Sequence, residues 1–358
     1  MVELQDILLK YGEDFKTAHH LSCEQLKAYS AIRKCRTAEM GGHMDVCTSC
    51  GYAKPSYNSC RNRNCPKCQS FAKEKWINSQ KCDLLNVQYF HVVFTVPAEL
   101  NGIFYSNQTR CYNLLFQSVS ETLQELAGDS KYLGASLGFT AVLHTWGQNL
   151  HYHPHIHCIV PAGGLDKLGF WKNSKKKFFM PVKVLSAKFK GKFLSLLKAA
   201  IPETASDLFD QCYSRTWVVY CKPPFKNAGY VVEYLGRYTH RIAISNQRIL
   251  NAENGKVTFK WRDYSDSNKQ KIMTLSADEF LRRFFMHILP KGFAKIRHFG
   301  FLSSRGKQTN LKKCKIQTAT TELKRLSTDE LLEKILGRKP AVCPDCGCPL
   351  IHHKLPPP

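Results

Sequence analysis

Two cysteine pairs, Cys47-x2-Cys50 and Cys65-x2-Cys68, stand fourteen residues apart in the first fifth of the chain. Each pair spaces two thiolates across one tight turn, and two such turns brought together place four sulfurs around a single tetrahedral point. A segment built this way folds around a metal rather than around an apolar core. The spacing predicts a structural zinc on Cys47, Cys50, Cys65 and Cys68. Cys35, His43 and Cys60 are left over nearby and are candidates for a second zinc site. A third pair, Cys343-x2-Cys346, is followed by His352 and is a candidate C-terminal zinc knuckle. Sixteen cysteines in a short secreted domain would suggest disulfides, but here the chain has 358 residues and paired cysteines. Its start lacks a basic segment followed by an apolar run, so reduced metal thiolates in a cytoplasmic protein are expected.

The charge points to the partner. Fifty-two Lys and Arg against 28 Asp and Glu give a formal net charge of +24, which suits a polyanion. Lys54, Arg61, Arg63, Lys67, Lys73 and Lys75 crowd the cysteine-rich segment, where Arg61 and Arg63 are candidates for phosphate contact. Between Lys172 and Lys198, Phe178, Phe179, Phe189 and Phe193 interleave the lysines. Half of these aromatics are expected in the core and half as stacking platforms. No apolar stretch approaches the ~20 residues of a membrane span, so no membrane partner is expected.

The pattern along the chain predicts an α+β fold in three parts. Residues 1–85 read as a helical lead-in and a zinc-binding domain. Residues 86–290 read as a mixed domain, and 291–358 as a basic C-terminal region. The runs YFHVVFTVP, GFTAVLHTW, HIHCIVP and TWVVYC are rich in β-branched and aromatic residues and bounded by Gly, Pro or Asn, as strands are. Asn107–Leu126 and Ala228–Tyr238 carry helical spacing. Asn254-Gly255 marks a hairpin turn, and Ser276-x-x-Glu279 a helix start.

Five histidines, at 144, 151, 153, 155 and 157, fall within fourteen positions. On a strand His155 and His157 share one face, with Ile156 on the other. Two imidazoles on a rigid strand form half of a metal site, and His144 at the end of the preceding strand is the candidate third ligand. Gln148 and His153 stand in reserve. Three neutral ligands leave positions open for water and a phosphate oxygen. Tyr230, Tyr234 and Tyr238 are spaced four apart, on one face of a helix, and a phenol can attack a phosphate that a metal has polarised. Arg237 and Arg241, beside them, are placed to stabilise charge on the phosphoryl oxygens.

In this order the motifs resemble the HUH family of rolling-circle nucleases, named for His-hydrophobic-His, and within it the two-tyrosine transposases of bacterial insertion sequences. His155-Ile156-His157 matches the HUH motif, YLGRYTHRIAISN with Tyr234 and Tyr238 the tyrosine motif, and HMDVCTSCGYAKPSYNSCRNRNCPKCQ the zinc-binding domain. Asn64 departs from the histidine common at that position. The resemblance implies an HUH-endonuclease-like antiparallel sheet with flanking helices, beside a helical and zinc-ribbon N-terminal domain. It implies structural Zn²⁺, catalytic Mg²⁺ or Mn²⁺, and a nucleoid-associated bacterial protein. The expected activity is nicking and joining of single-stranded DNA at transposon ends and target through a 5′-phosphotyrosine, with Tyr234 and Tyr238 as nucleophiles. A non-catalytic zinc-ribbon DNA-binding regulator accounts for the charge and cysteines but leaves the histidine strand and tyrosine helix without a role. A zinc hydrolase accounts for the histidines but not for the tyrosines.

Overall fold

The run from 89 to 97 alternates strictly: Phe90, Val92 and Phe94 are buried in one core, while Tyr89, His91 and Val93 point the opposite way. A strand with this pattern must lie between two packed layers, and it does. The computed structural model describes residues 2–174, 180–222, 231, 236, 243–263 and 266–358. α1 (Leu4–Ala18) and α2 (Cys23–Lys34) lead into β1 (Gly42–Val46), β2 (Ala53–Tyr57) and α3 (Pro66–Asp83). There follow β3 (Tyr89–Thr95), α4 (Asn101–Ser106), α5 (Gln108–Gly128), β4 (Gly138–Trp146) and β5 (Tyr152–Pro161). The short β6 (Gly163–Leu165) and β7 (Trp171–Asn173) precede α6 (Val182–Ala200), α7 (Ser206–Ser214) and β8 (Val219–Lys222). Then come β9 (Ile249–Glu253), β10 (Lys256–Asp263), β11 (Lys269–Ser276) and α8 (Ala277–Met286). The chain closes with β12 (Ile296–Gly300), α9 (Lys307–Gln317), α10 (Thr328–Leu336) and β13 (Ile351–Leu355).

The largest sheet is antiparallel throughout, in the order β12-β4-β5-β3-β8. Its inner face carries Phe90, Phe94, Phe139 and Ile156 against Phe116, Phe189 and Phe193 of α5 and α6, forming the main core. Phe189 and Phe193 are fully buried, which takes them out of any stacking role, while Phe178 and Phe179 lie outside the described residues. A second core unites the amphipathic α1 and α2 with the β9–β11 sheet and α8 through Leu8, Phe15, Ile32, Phe259, Phe280 and Phe285. The mixed α+β architecture, an antiparallel sheet backed by helices with a helical and cysteine-rich N-terminal part, is the expected one.

Local signals hold where they are self-contained. Asn254 and Gly255 both have positive φ, 50° and 69°, and close the β9–β10 hairpin. The Ser276 hydroxyl accepts from the Glu279 backbone N–H at 3.1 Å and starts α8. Residues beyond 290 do not stand apart from the rest. β12 pairs with the free edge of β4, Ile296 opposite Val142, and β13 pairs with β1, Val46 opposite Ile351.

Candidate active site and metal centres

The outer face of the large sheet carries the histidines. β4 and β5 pair with His144 directly opposite His155, and His157 follows two residues on, so period-two alternation brings all three to one face. Their nearest ring nitrogens lie within 4.8 Å of one another, and all three side chains are buried. His155 donates from Nδ1 to the His153 carbonyl at 2.6 Å, which leaves Nε2 for a ligand. Burial, reinforced by nearby His153, pushes the His155 pKa down to about 3, so its imidazole is neutral around pH 7. The three rings converge, those of His155 and His157 each held by a second hydrogen bond, and they fit a divalent ion; no carboxylate belongs to the trio.

One partner was not in the sequence reading. His91 on β3 faces the same way and its Nε2 lies 2.8 Å from Nδ1 of His157, with the two rings nearly parallel. His91 shares its alternation with Tyr89 and Val93, but its pairing with His157 depends on the β3–β5 register, which no local pattern supplies. An open cleft is lined by His151, His153, Trp261, Arg262, Arg282 and Arg283, and the His153 ring in it lies 5.1 Å from that of His155.

Tyr230, Tyr234, Tyr238, Arg237 and Arg241 lie outside the described residues. Two residues of that segment are described. Val231 is buried against Tyr89 and Ile159, and Ile159 stands two residues beyond His157 on the histidine face. Gly236 meets α3 so closely that a Cβ there would fall 2.3 Å from Cδ1 of Ile77.

The cysteines assemble, but not as the quartet expected. Cys65 and Cys68 at the start of α3 meet Cys35 at the end of α2 and Cys60, with Sγ–Sγ distances of 3.6 Å from Cys68 to both Cys35 and Cys60. Cys47 and Cys50 are elsewhere, beside Cys343 and Cys346. The reason lies in the five-residue strands between the pairs. β1 carries the chain outward and β2 returns it, so Cys47 and Cys50 sit at a hairpin tip roughly a strand's length, ~17 Å, from Cys60. His43 joins neither quartet: it lies on β1, 3.1 Å from Asp45, whose carboxylate also meets Nδ1 of His352 at 2.6 Å. That removes His43 from the expected second site and His352 from the expected C-terminal one. Position 64 supplies no ligand to the first quartet. Sulfur hydrogen bonds, from Cys60 first and then Cys65, hold the Cys68 thiol well below the usual range.

The two arginines of the zinc loop differ. Arg61 is exposed. Arg63 is half-buried and donates to three backbone carbonyls, Phe293 at 2.6 Å, Pro290 at 2.8 Å and Leu289 at 3.0 Å. Its guanidinium is spent on the turn after α8, so the phosphate contact expected of it does not fit.

Among the described residues no helix is long and apolar enough to cross a membrane. Residues 7–96 match the family described as "Transposase zinc-binding domain", and residues 138–310 the family described as "Putative transposase". The chain is 42% identical to "Putative transposase y4qJ" of Sinorhizobium fredii, over 96% of this chain and 92% of that one. It is 31% identical to "Transposase for insertion sequence element IS801" of Pseudomonas savastanoi pv. phaseolicola, over 78% of this chain and 71% of that one. No solved structure matches significantly.

Proposed function

Because the chain belongs to the family of transposases that carry an N-terminal zinc-binding domain, we propose that it nicks and rejoins single-stranded DNA at the ends of a mobile element through a tyrosine–phosphate link. The observation that carries this reading is the buried trio of His144, His155 and His157 on one sheet face. His144, His155 and His157 would hold a Mg²⁺ or Mn²⁺ ion, which would supply positive charge at a phosphate oxygen. The chain's own residues do the rest. Tyr234 or Tyr238 attacks phosphorus through its phenol oxygen, forming an O–P bond to the 5′ side while the bond to the 3′ oxygen breaks and that oxygen leaves as a 3′-OH. Because one phosphoester replaces another, its energy is kept, and a second strand's 3′-OH can reverse the step onto a new end.

Positioning is supported by the surroundings. Val231 and Gly236, on either side of Tyr234 in sequence, pack on the histidine face and on α3 respectively. Arg237 and Arg241 are assigned to the developing charge on the phosphoryl oxygens. The cleft with Trp261, Arg262 and Arg282 offers a stacking surface and phosphate contacts for an unpaired strand, and exposed Arg61 contacts phosphate from the zinc-binding part. Structural zinc in that part is assigned to Cys35, Cys60, Cys65 and Cys68.

The test is direct. Purified protein incubated with Mn²⁺ and labelled single-stranded DNA carrying the element's end is expected to give a denaturant-stable protein–DNA adduct on the 5′ side. If no adduct forms on any end-containing strand while binding is intact, the chain acts on DNA as a binder only.

A further inference from the structure

We propose that Cys47, Cys50, Cys343 and Cys346 bind a second structural zinc ion, a clasp that joins the two ends of the chain into one zinc ribbon. The inference rests on the thiol geometry and stands whether or not the DNA-cutting reading does. Cys343 and Cys346 fall outside both spans matched by family comparison.

The two halves are built alike. In each, a C-x2-C-G turn ends on a glycine with a positive φ of 76°, Gly51 in one and Gly347 in the other. In each, that glycine's N–H donates to the first cysteine's carbonyl at 3.1 Å. In each, the first cysteine's N–H donates at 2.8 Å to the carbonyl five residues on, Tyr52 in one and Cys348 in the other. A positive φ with no Cβ is what lets the chain turn back under the sulfurs, and two such knuckles facing each other are the usual frame of a thiolate site.

The sulfurs themselves meet across the halves. Sγ of Cys47 lies 3.4 Å from Sγ of Cys346, Sγ of Cys50 lies 3.6 Å from Sγ of Cys343, and all four lie within 4.8 Å of one another. A disulfide needs about 2.05 Å between sulfurs. A zinc tetrahedron with Zn–S bonds of about 2.3 Å has S–S edges of about 3.8 Å, close to what is seen. Four protein ligands leave no open position, so the site is structural. The backbone agrees with the side chains: β13 pairs with β1 over five residues, from Gly42 opposite Leu355 to Val46 opposite Ile351, and delivers the second knuckle to the first. Leu350 and Tyr52 pack beside the cysteines. The neighbouring His43, Asp45 and His352 are already joined to one another and are more exposed, and they fit a hydrogen-bonded surface cluster instead.

Zinc analysis of the full chain tests this. The Cys343→Ser, Cys346→Ser protein is expected to hold one zinc ion fewer than wild type. A Cys60→Ser, Cys65→Ser protein loses the other ion independently. Unchanged zinc content in the Cys343→Ser, Cys346→Ser protein overturns the clasp. Should that variant fail to fold, wild-type protein decides. Cys346 is exposed, so with iodoacetamide and peptide mapping Cys343 and Cys346 should resist alkylation in the zinc-loaded chain and react after chelation. Equal reactivity with and without zinc overturns the proposal.

Discussion

Nε2 of His91 and Nδ1 of His157 meet at 2.8 Å across the β3–β5 ladder, so the orientation of one candidate ligand is set by a histidine on the neighbouring strand. Partners of this kind fix tautomer and ring direction, and their loss costs about 10–100-fold in metal affinity. His91→Phe keeps a ring of similar volume and removes the hydrogen bond. Mn²⁺ titration should show that weakening, with zinc content unchanged. His155→Ala and His157→Ala should abolish Mn²⁺ binding at the trio and adduct formation while DNA binding persists. Mn²⁺ affinity at wild-type level in His91→Phe would make the contact mere packing.

The tyrosines divide by position. Tyr234→Phe with Tyr238→Phe should eliminate the adduct and leave Mn²⁺ and DNA binding intact, since only hydroxyls are lost, whereas Tyr230→Phe should cut normally. Tyr220 is a useful control: it is exposed and pairs with Val93, which pairs in turn with His157, placing it on the histidine face about 10 Å away by strand spacing. Tyr220→Phe should retain the adduct. An adduct that survives the double substitution and disappears in Tyr220→Phe moves the nucleophile to β8.

Arg61 and Arg63 should fail in opposite ways. Arg63→Ala leaves three carbonyls without their charged donor and should lower stability by roughly 2–4 kcal/mol, read by urea unfolding. The salt dependence of DNA binding should stay the same. Arg61→Ala should leave stability within about 0.5 kcal/mol and reduce the slope of log affinity against log salt by about one. Equal effects of the two on the slope would return Arg63 to the phosphate contacts.

His287 gives a pH signature. It is buried, donates from Nε2 to the Leu150 carbonyl at 3.0 Å, and has Nδ1 3.2 Å from the Thr145 hydroxyl. Desolvation lowers its pKa to about 4, against about 6.5 when unfolded. Between those values the unfolded chain binds the proton and the folded chain does not, so stability rises with pH there by up to about 1.4 kcal/mol per unit per group. His155 acts in the same direction. Unfolding free energy should therefore fall steadily from pH 6.5 to 4, and His287→Gln should flatten part of that slope. A slope unaffected by the substitution would place the titration elsewhere.

What could be read from the sequence was whatever a few neighbouring residues decide. β4 occupies the run Gly138–Trp146, the Asn254-Gly255 turn is where the dipeptide demands it, and His155 and His157 share a face because a strand alternates. Legibility stopped where the answer depended on which distant segments meet. Cys47 and Cys65 are close in sequence and were grouped for that reason. The hairpin between them separates them, and Cys343, nearly three hundred residues away, takes the place of Cys65. Arg63 looked like a phosphate ligand because its charge is visible in sequence and the three carbonyls that claim it are not.

The β1–β13 pairing also orders events in the making of the molecule. β1 emerges from the ribosome early, and its partner strand emerges about three hundred residues later, or roughly 15–60 s at ordinary elongation rates. Throughout that interval β1 has β2 on one side and an unpaired edge on the other, next to a hairpin tip with two unmatched cysteines. A chain interrupted before residue 343 can complete the large sheet and the histidine face yet never cover that edge, which leaves it open to pairing with another nascent chain. Pairing of β13 with β1 thus waits until synthesis has passed residue 355.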